Sequence, residues 1–134
     1  MKRYQVCILI TLVFFVFSSV NPSDCTAQKK NYDKILGTWD AAGDYGGTPF
    51  NFMFIFNTKD DTLKGSWSAE MMMFNLTKTT FENDTLKAEM YMDFGEQGWS
   101  ISISAAVENE KMTGYMGSEM GNMSFSATRR KNNK

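Results

Sequence analysis

Hydrophobic and polar residues alternate with a period of two along most of the chain after residue 35. This alternation is typical of antiparallel β-strands that turn one face to a core and the other to solvent. The first predicted strand is Ile35–Ala41, and residues 42–47, with three glycines, are predicted to form a loop. The inward positions of the later predicted strands are Phe50, Phe52, Phe54 and Phe56; Leu63, Gly65, Trp67 and Ala69; Phe74 and Leu76, within a strand over 71–79; Leu86, Ala88, Met90 and Met92; Trp99, Ile101, Ile103 and Ala105; Met112, Gly114 and Met116; and Met123, Phe125 and Ala127. The pattern predicts an all-β fold of about eight strands.

A polar, turn-forming cluster followed by an apolar residue and then a small residue recurs at residues 57–65, 81–88 and 107–114. The spacing corresponds to two short strands with their turns, which indicates a single antiparallel up-and-down meander. Closing eight such strands removes exposed edges and gives an interior that is filled or holds one small ligand. Small residues such as Gly65 and Gly114 suit points where the wall bends or packs tightly. We predict a closed or nearly closed barrel, with a β-sandwich as the alternative.

The N-terminus has the layout of a secretory signal peptide. Lys2 and Arg3 precede an apolar run over 6–20, which is too short for a comfortable membrane span. We therefore predict that residues 1–27 are a signal peptide and residues 28–134 one domain. The predicted location is extracytoplasmic, in the periplasm or secreted.

A lipoprotein anchored through Cys25 is the alternative, and it is the only form for which we expect a membrane partner. Asp24 disfavours it, because a lipidation motif requires a small residue there. The other cysteine, Cys7, also lies in the predicted signal peptide. The domain would then have neither a disulfide nor a free thiol, and its stability would come from a packed core.

The side chains that most enzymes need are missing from the domain. The chain has no histidine, and no Gly-x-Ser-x-Gly elbow is present, so a hydrolytic triad is not expected. Asp93 and Glu96 are candidate paired carboxylates, but they bracket a predicted turn and are better interpreted as a solvated loop. The slightly acidic net charge of −1 argues against nucleic acid as a partner. The sequence predicts a protein that is not an enzyme and has no cofactor and no metal site.

Methionine is unusually frequent, with 11 in the chain and all but Met1 after residue 27. Thioethers are soft ligands that suit Cu(I), so a copper-binding function is an alternative hypothesis. Methionine also fills irregular cores, because it is unbranched and adaptable. Core packing explains these residues better, since several lie on the predicted inward faces.

Gly37-Thr38-Trp39 resembles the Gly-x-Trp signature of the calycin barrels, the lipocalins and avidins. In that superfamily the tryptophan closes the barrel floor, and in lipocalins a basic residue of the last strand lies over it. The resemblance implies that Gly37, Trp39 and Arg129 close the barrel, with Arg129 or Arg130 making a cation–π contact to Trp39.

A wider resemblance, over residues 36–131, is to small β-rich domains in exported proteins of Bacteroidetes. The matching residues are Gly37-Thr38-Trp39, Phe52 and Phe54, Asp61-Thr62-Leu63-Lys64-Gly65, Asp84-Thr85-Leu86 and Phe125-Ser126-Ala127-Thr128-Arg129. This resemblance implies that Thr62 and Thr85 lie in Asp-Thr-aliphatic O-glycosylation sites. Turn chemistry before a strand is the alternative explanation of both Asp-Thr pairs.

These inferences together predict a non-enzymatic exported binding or accessory module. Its partner would be a small hydrophobic ligand held in an apolar barrel. The predicted ligand-binding residues are Trp39, Phe52, Trp67, Met90, Met92, Trp99 and Met116. An interaction domain without a pocket, working beside a secreted partner enzyme, is the alternative.

Overall fold

The computed structural model describes residues 31–133. It has eight strands: β1 (Gly37–Tyr45), β2 (Thr48–Lys59), β3 (Thr62–Ala69), β4 (Met72–Glu82), β5 (Thr85–Asp93), β6 (Gly98–Glu108), β7 (Lys111–Ser118) and β8 (Gly121–Arg129). Each strand pairs with the next in antiparallel fashion, and β8 pairs with β1 to close the barrel. The prediction of an all-β, up-and-down barrel is confirmed, and the sandwich alternative is wrong. The predicted signal peptide, residues 1–27, lies outside the described residues.

The predicted alternation produces one continuous core. Along β5, every second residue from Leu86 to Met92 is buried while the residues between them are exposed. Aromatic rings from β2 and β8, the two strands that flank β1, meet inside the barrel, where the Phe125 ring centroid lies 5.7 Å from that of Phe52 and 5.4 Å from that of Phe54. Burial of each such side chain contributes about 1.5–3 kcal/mol to stability. Within residues 31–133, no helix is long and apolar enough to cross a membrane.

The polar clusters of the threefold repeat form tight turns. Asp60 and Asp61 have φ values of 53° and 58°, and Asn83 and Asp84 have values of 50° and 56°. Positive φ at both central residues is the type I′ geometry, whose twist matches that of the flanking strands. Asp and Asn tolerate this backbone region better than most residues do. The acidic residues of the repeat therefore serve the turns.

Because the strands alternate in direction, the turns separate into two ends. Residues 60–61, 83–84 and 109–110 connect strands at the end where β1 begins and β8 finishes, which we call the closed end. The opposite end, which we call the mouth, has the turns at residues 46–47, 70–71, 94–97 and 119–120. All three copies of the repeat thus lie at the closed end.

The first strand differs from its prediction. β1 begins at Gly37 and extends to Tyr45, so the predicted loop over 42–47 is reduced to a turn at residues 46–47. Gly43 pairs with Phe50 on one side and Phe125 on the other. A Cβ on Gly43 would lie 2.8 Å from Met123 Sδ. This glycine therefore permits close strand packing and does not form a loop.

The fourth strand contains a β-bulge that the sequence did not reveal. The register between β4 and β5 shifts between Thr77 and Thr80, and Lys78 has a φ of 48°. The extra residue changes the phase of the alternation, so both Leu76 and Phe81 are buried although five positions separate them. The strand consequently extends beyond the predicted Thr79.

Candidate functional site

The closed end is sealed by Trp39 and Arg129. Trp39 is fully buried, and its Nε1 donates a hydrogen bond to the Ile35 carbonyl at 2.8 Å. The Arg129 guanidinium carbon lies 4.8 Å from the centroid of the Trp39 ring, within the range of a cation–π interaction. The same guanidinium donates hydrogen bonds to the carbonyls of Asp33, at 3.2 Å, and Lys34. These contacts fasten the segment before β1 across the floor of the barrel.

A cavity of about 470 Å³ lies at the mouth. Every strand contributes to its wall: Tyr45 from β1, Thr48 and Phe50 from β2, Trp67 from β3, Met72 from β4, Met92 from β5, Ile101 from β6, Met116, Gly117 and Ser118 from β7, and Gly121 and Met123 from β8. Small-molecule sites in proteins usually have volumes of about 300–1,000 Å³. The cavity is therefore large enough for one small ligand.

The wall of the cavity is mainly apolar, and none of its residues carries a charged side chain. Its polar groups are few. The Ser118 hydroxyl belongs to the β7–β8 turn, where it accepts a hydrogen bond from Met120 N at 3.2 Å. Trp67 is buried, and its Nε1 has no hydrogen-bond partner among residues 31–133. The site can hold an apolar molecule, and its wall contains one unpaired donor, whose nitrogen has almost no accessible surface.

The interior between the cavity and the closed end is packed. Phe52 stacks edge-on against Phe54 at 5.4 Å between ring centroids, and Phe125 contacts both rings. Further towards the closed end lie Phe56 and Leu63, both buried. The barrel is thus filled in its lower part and open in its upper part.

The structure separates the seven predicted ligand-binding residues into four groups. Three of them line the cavity: Trp67, Met92 and Met116. Phe52 and Met90 are buried in the packed core, and Trp39 lies at the closed end. Trp99 is 37% exposed and packs against Phe94, with 5.4 Å between ring centroids, so it belongs to the outer edge of the mouth.

Several lining residues were not nominated from the sequence, among them Phe50, Met72, Ile101 and Met123. Phe50 and Ile101 lie on predicted inward faces, at the strand ends furthest from Trp39. The sequence feature that identifies these residues is therefore their position along the strand. Once Gly37-Thr38-Trp39 marks the closed end, inward residues near the opposite strand ends become the candidates for a cavity wall.

The surface around the mouth is apolar and acidic. Seven exposed large apolar or aromatic side chains lie in or beside the mouth turns: Tyr45, Met71, Met72, Met73, Phe94, Trp99 and Met120. Five acids lie in the same places: Asp44, Glu70, Asp93, Glu96 and Glu119. Within the described part of the chain, no lysine or arginine lies within two residues of a mouth turn. A ligand that approaches the cavity therefore meets apolar surface and negative charge.

The carboxylates considered for catalysis, Asp93 and Glu96, lie at the end of β5 and in the turn that follows it. Asp93 Oδ1 accepts a hydrogen bond from Gly95 N at 2.9 Å within the β5–β6 turn, and Glu96 lies in the same turn. Residues 31–133 contain no group of three or more His, Cys, Asp or Glu side chains placed to hold a metal ion. Thr62 and Thr85 lie beside closed-end turns, where their hydroxyls donate to the carbonyls of Asp60 and Asn83 at 3.4 and 3.3 Å. O-glycosylation at these threonines stays a prediction.

The chain is similar in fold to two solved structures. A redesigned β-barrel matches with a TM-score of 0.57 and 10% identity, over 74% of this chain and 94% of the designed one. Apo lipid binding protein 8 of Caenorhabditis elegans matches with a TM-score of 0.50 and 12% identity, over 75% of this chain and 98% of the nematode protein. No family model and no curated protein sequence matches the chain. The similarity supports the fold, a closed antiparallel β-barrel.

Proposed function

We propose that this protein is a non-enzymatic, exported binding module that holds a small hydrophobic ligand in the mouth cavity. The observation that carries the proposal is the cavity itself, about 470 Å³ in volume and walled by all eight strands. Removal of apolar ligand surface from water contributes roughly 25 cal/mol per Å². Because the strands that form the wall are joined into one closed barrel, the site exists before the ligand arrives.

Three further observations support the proposal. The nematode protein of similar fold is a lipid-binding protein. Asp93 at the end of β5 and Glu96 in the turn that follows do not line the cavity. The export part of the proposal rests on the signal peptide predicted from the sequence over residues 1–27. An open cavity also favours ligand binding over the pocketless interaction domain, because such a domain gains nothing from leaving part of its core unfilled.

A fluorescent probe with no charge tests this function. We expect the purified protein to bind N-phenylnaphthylamine in the cavity, with an increase in probe fluorescence and a rise in the thermal midpoint of unfolding. The variant Ile101→Trp places a larger ring in the cavity and should weaken probe binding by about tenfold or more. Ile101 is suited to this test because it lines the cavity and is only half-buried.

The matched control is Ile55→Trp. Ile55 is also half-buried, but it alternates with the inward residues Phe54 and Phe56 and so lies on the outer face of β2. This variant should bind the probe as the wild type does. The proposal fails if the wild type binds no neutral apolar probe, or if Ile101→Trp and Ile55→Trp bind it equally well.

Cu(I) binding is a second candidate function, because four methionines line the same cavity: Met72, Met92, Met116 and Met123. Thioether sulfurs are soft ligands for Cu(I). Titration with Cu(I) against a competing chelator distinguishes the two candidates. Retention of Cu(I) by the wild type, lost when the four methionines are replaced by leucine, would favour copper over the apolar ligand.

A further inference from the structure

The indole nitrogen of Trp67 is a buried hydrogen-bond donor without a partner in residues 31–133. Trp67 is 2% exposed, and its side chain forms part of the cavity wall. An unpaired buried donor costs about 1–3 kcal/mol. Trp39, which is also buried, has a hydrogen-bond partner, because its indole N–H donates to the Ile35 carbonyl. Trp67 is therefore the cavity-lining residue whose buried donor lacks an acceptor in the described part of the chain, whereas the other two such atoms, Thr79 Oγ1 and Arg129 Nε, lie outside the cavity wall.

The surroundings of Trp67 hold the ring in place without offering an acceptor. The ring stacks on Phe50 with 6.1 Å between centroids, and it contacts Phe52 and Phe74 at 5.9 Å each. Because Trp67 Nε1 has almost no accessible surface, a ligand atom reaches it only after a neighbouring side chain changes rotamer, and the unbranched methionines of the cavity wall are adaptable in this way. A ligand atom that accepts a hydrogen bond would replace the missing partner.

Charge restricts what that ligand atom can be. None of the residues that line the cavity is Lys, Arg, Asp or Glu. An ionised carboxylate beside Trp67 would be buried without a counter-charge, which is strongly unfavourable. The five acids around the mouth add repulsion on the approach. A neutral acceptor, such as a ketone, ester or ether oxygen, meets neither penalty.

We propose that the cavity selects uncharged lipophilic molecules that carry a hydrogen-bond acceptor, and that Trp67 Nε1–H recognises this acceptor. Ionised fatty acids are disfavoured. This inference rests on the proposed function and adds to it the chemical class of the ligand and the residue that determines specificity.

Three probes of equal carbon number test the inference: dodecane, methyl decyl ketone and ionised dodecanoate, each measured by displacement of N-phenylnaphthylamine at neutral pH. We expect the ketone to bind about fivefold more tightly than dodecane, as one net hydrogen bond provides. Dodecanoate should bind at least about tenfold more weakly than the ketone. In Trp67→Phe, which keeps an aromatic ring but removes the N–H, the ratio of ketone affinity to dodecane affinity should fall from about fivefold to about one.

The control variant is Trp99→Phe, which removes an indole N–H outside the cavity and should leave all three affinities unchanged. Nuclear magnetic resonance of the wild type gives a readout that does not depend on the folding of a variant. The Trp67 indole proton should shift downfield with the ketone but not with dodecane.

The inference is wrong if Trp67→Phe weakens ketone and dodecane equally, if the indole proton does not respond to the ketone, or if dodecanoate binds as tightly as the ketone. In each of these cases binding of dodecane by the wild type would leave the proposed function intact. Failure of every probe to bind the wild type would instead overturn the proposed function, and this inference with it.

Discussion

Arg129 and Arg130 are adjacent in sequence but have different roles at the closed end. Arg129 is mostly buried over the Trp39 ring and donates to backbone carbonyls. Arg130 is exposed and forms an ion pair with Asp40. The hydrogen bonds that Arg130 donates to the Asp40 carboxylate, together with the negative charge of that carboxylate, raise the pKa of Arg130 above its ordinary value. Because the folded-state pKa is raised, this contribution is lost as the pH rises above the ordinary value of arginine, and at lower pH it is present wherever the Asp40 carboxylate is ionised.

The two arginines are predicted to respond differently to the same substitution. Arg129→Lys replaces a planar group that stacks and donates at several positions with a single ammonium, so we expect a loss of about 1–2 kcal/mol in the free energy of unfolding. Arg130→Lys keeps an exposed ion pair and should have little effect. Urea unfolding of both variants measures the difference. Equal stability of the two variants would show that the contact with Trp39 contributes nothing.

Single residues were predictable from the sequence where a short motif fixed their neighbours. The Gly-x-Trp resemblance and the basic residue at the end of the last strand predict a contact between Trp39 and Arg129. In the structure the Arg129 guanidinium carbon lies 4.8 Å from the centroid of the Trp39 ring. The lack of a hydrogen-bond partner at Trp67 Nε1 within residues 31–133 was not predictable, because it depends on which acceptors the surrounding strands bring near this nitrogen.

The turns are the elements in which backbone geometry, and not packing, selects the residues. Asp61 occupies the second central position of a type I′ turn with a φ of 58°. Glycine is preferred at this position because it has no Cβ to oppose positive φ. We expect Asp61→Gly to stabilise the protein by about 0.5–1 kcal/mol, measured by the shift of its urea midpoint.

Glu119→Gly is the control for this substitution. Glu119 is also an exposed acid in a two-residue turn, but its φ is not in the left-handed region. Glycine there relieves no strain and adds entropy to the unfolded chain, so the variant should be no more stable than the wild type. Stabilisation by both substitutions would indicate that loss of negative charge, and not turn geometry, is responsible.

Strand elements were predicted well where alternation was uninterrupted and poorly where a local irregularity changed it. β5 and β6 follow the predicted inward positions closely, apart from exposed Trp99. The bulge in β4 has no sequence signal, because Lys78 adopts a φ of 48° without the glycine or asparagine that usually marks such a position. The glycines after Ala42 suggested a loop, whereas Gly43 provides room for a neighbouring strand.

Across the whole molecule, methionine exposure follows the long axis of the barrel. Met71, Met73 and Met120 beside the mouth are 100%, 64% and 61% exposed, whereas Met90 and Met112 are 1% and 0% exposed. We therefore expect dilute hydrogen peroxide to oxidise the three mouth methionines well before Met90 and Met112. Peptide mass spectrometry over time measures the order. Simultaneous oxidation of all five would contradict a barrel with a rigid, closed lower part.

The position of the cavity depends on the number of strands and on how far side chains fill the interior. The first property can be predicted from the sequence, but the second cannot. The number of strands, and hence the size of the interior, could be counted from the alternation. How far the interior is filled depends on how Phe52, Phe54 and Phe125 interdigitate, which no single strand records. For this reason only some of the nominated residues, such as Trp67 and Met92, line the cavity.

Because the number of strands is even, β1 begins and β8 ends at the same end of the barrel, the closed end. Arg130 N donates to the Thr38 carbonyl at 2.8 Å, so the segments that precede β1 and follow β8 lie side by side. A tether joined to either segment would therefore attach the barrel at its closed end. Such a tether could be an anchor at Cys25, a fused enzyme or an immobilisation tag. The mouth would then point away from the point of attachment, and a ligand would reach it without obstruction.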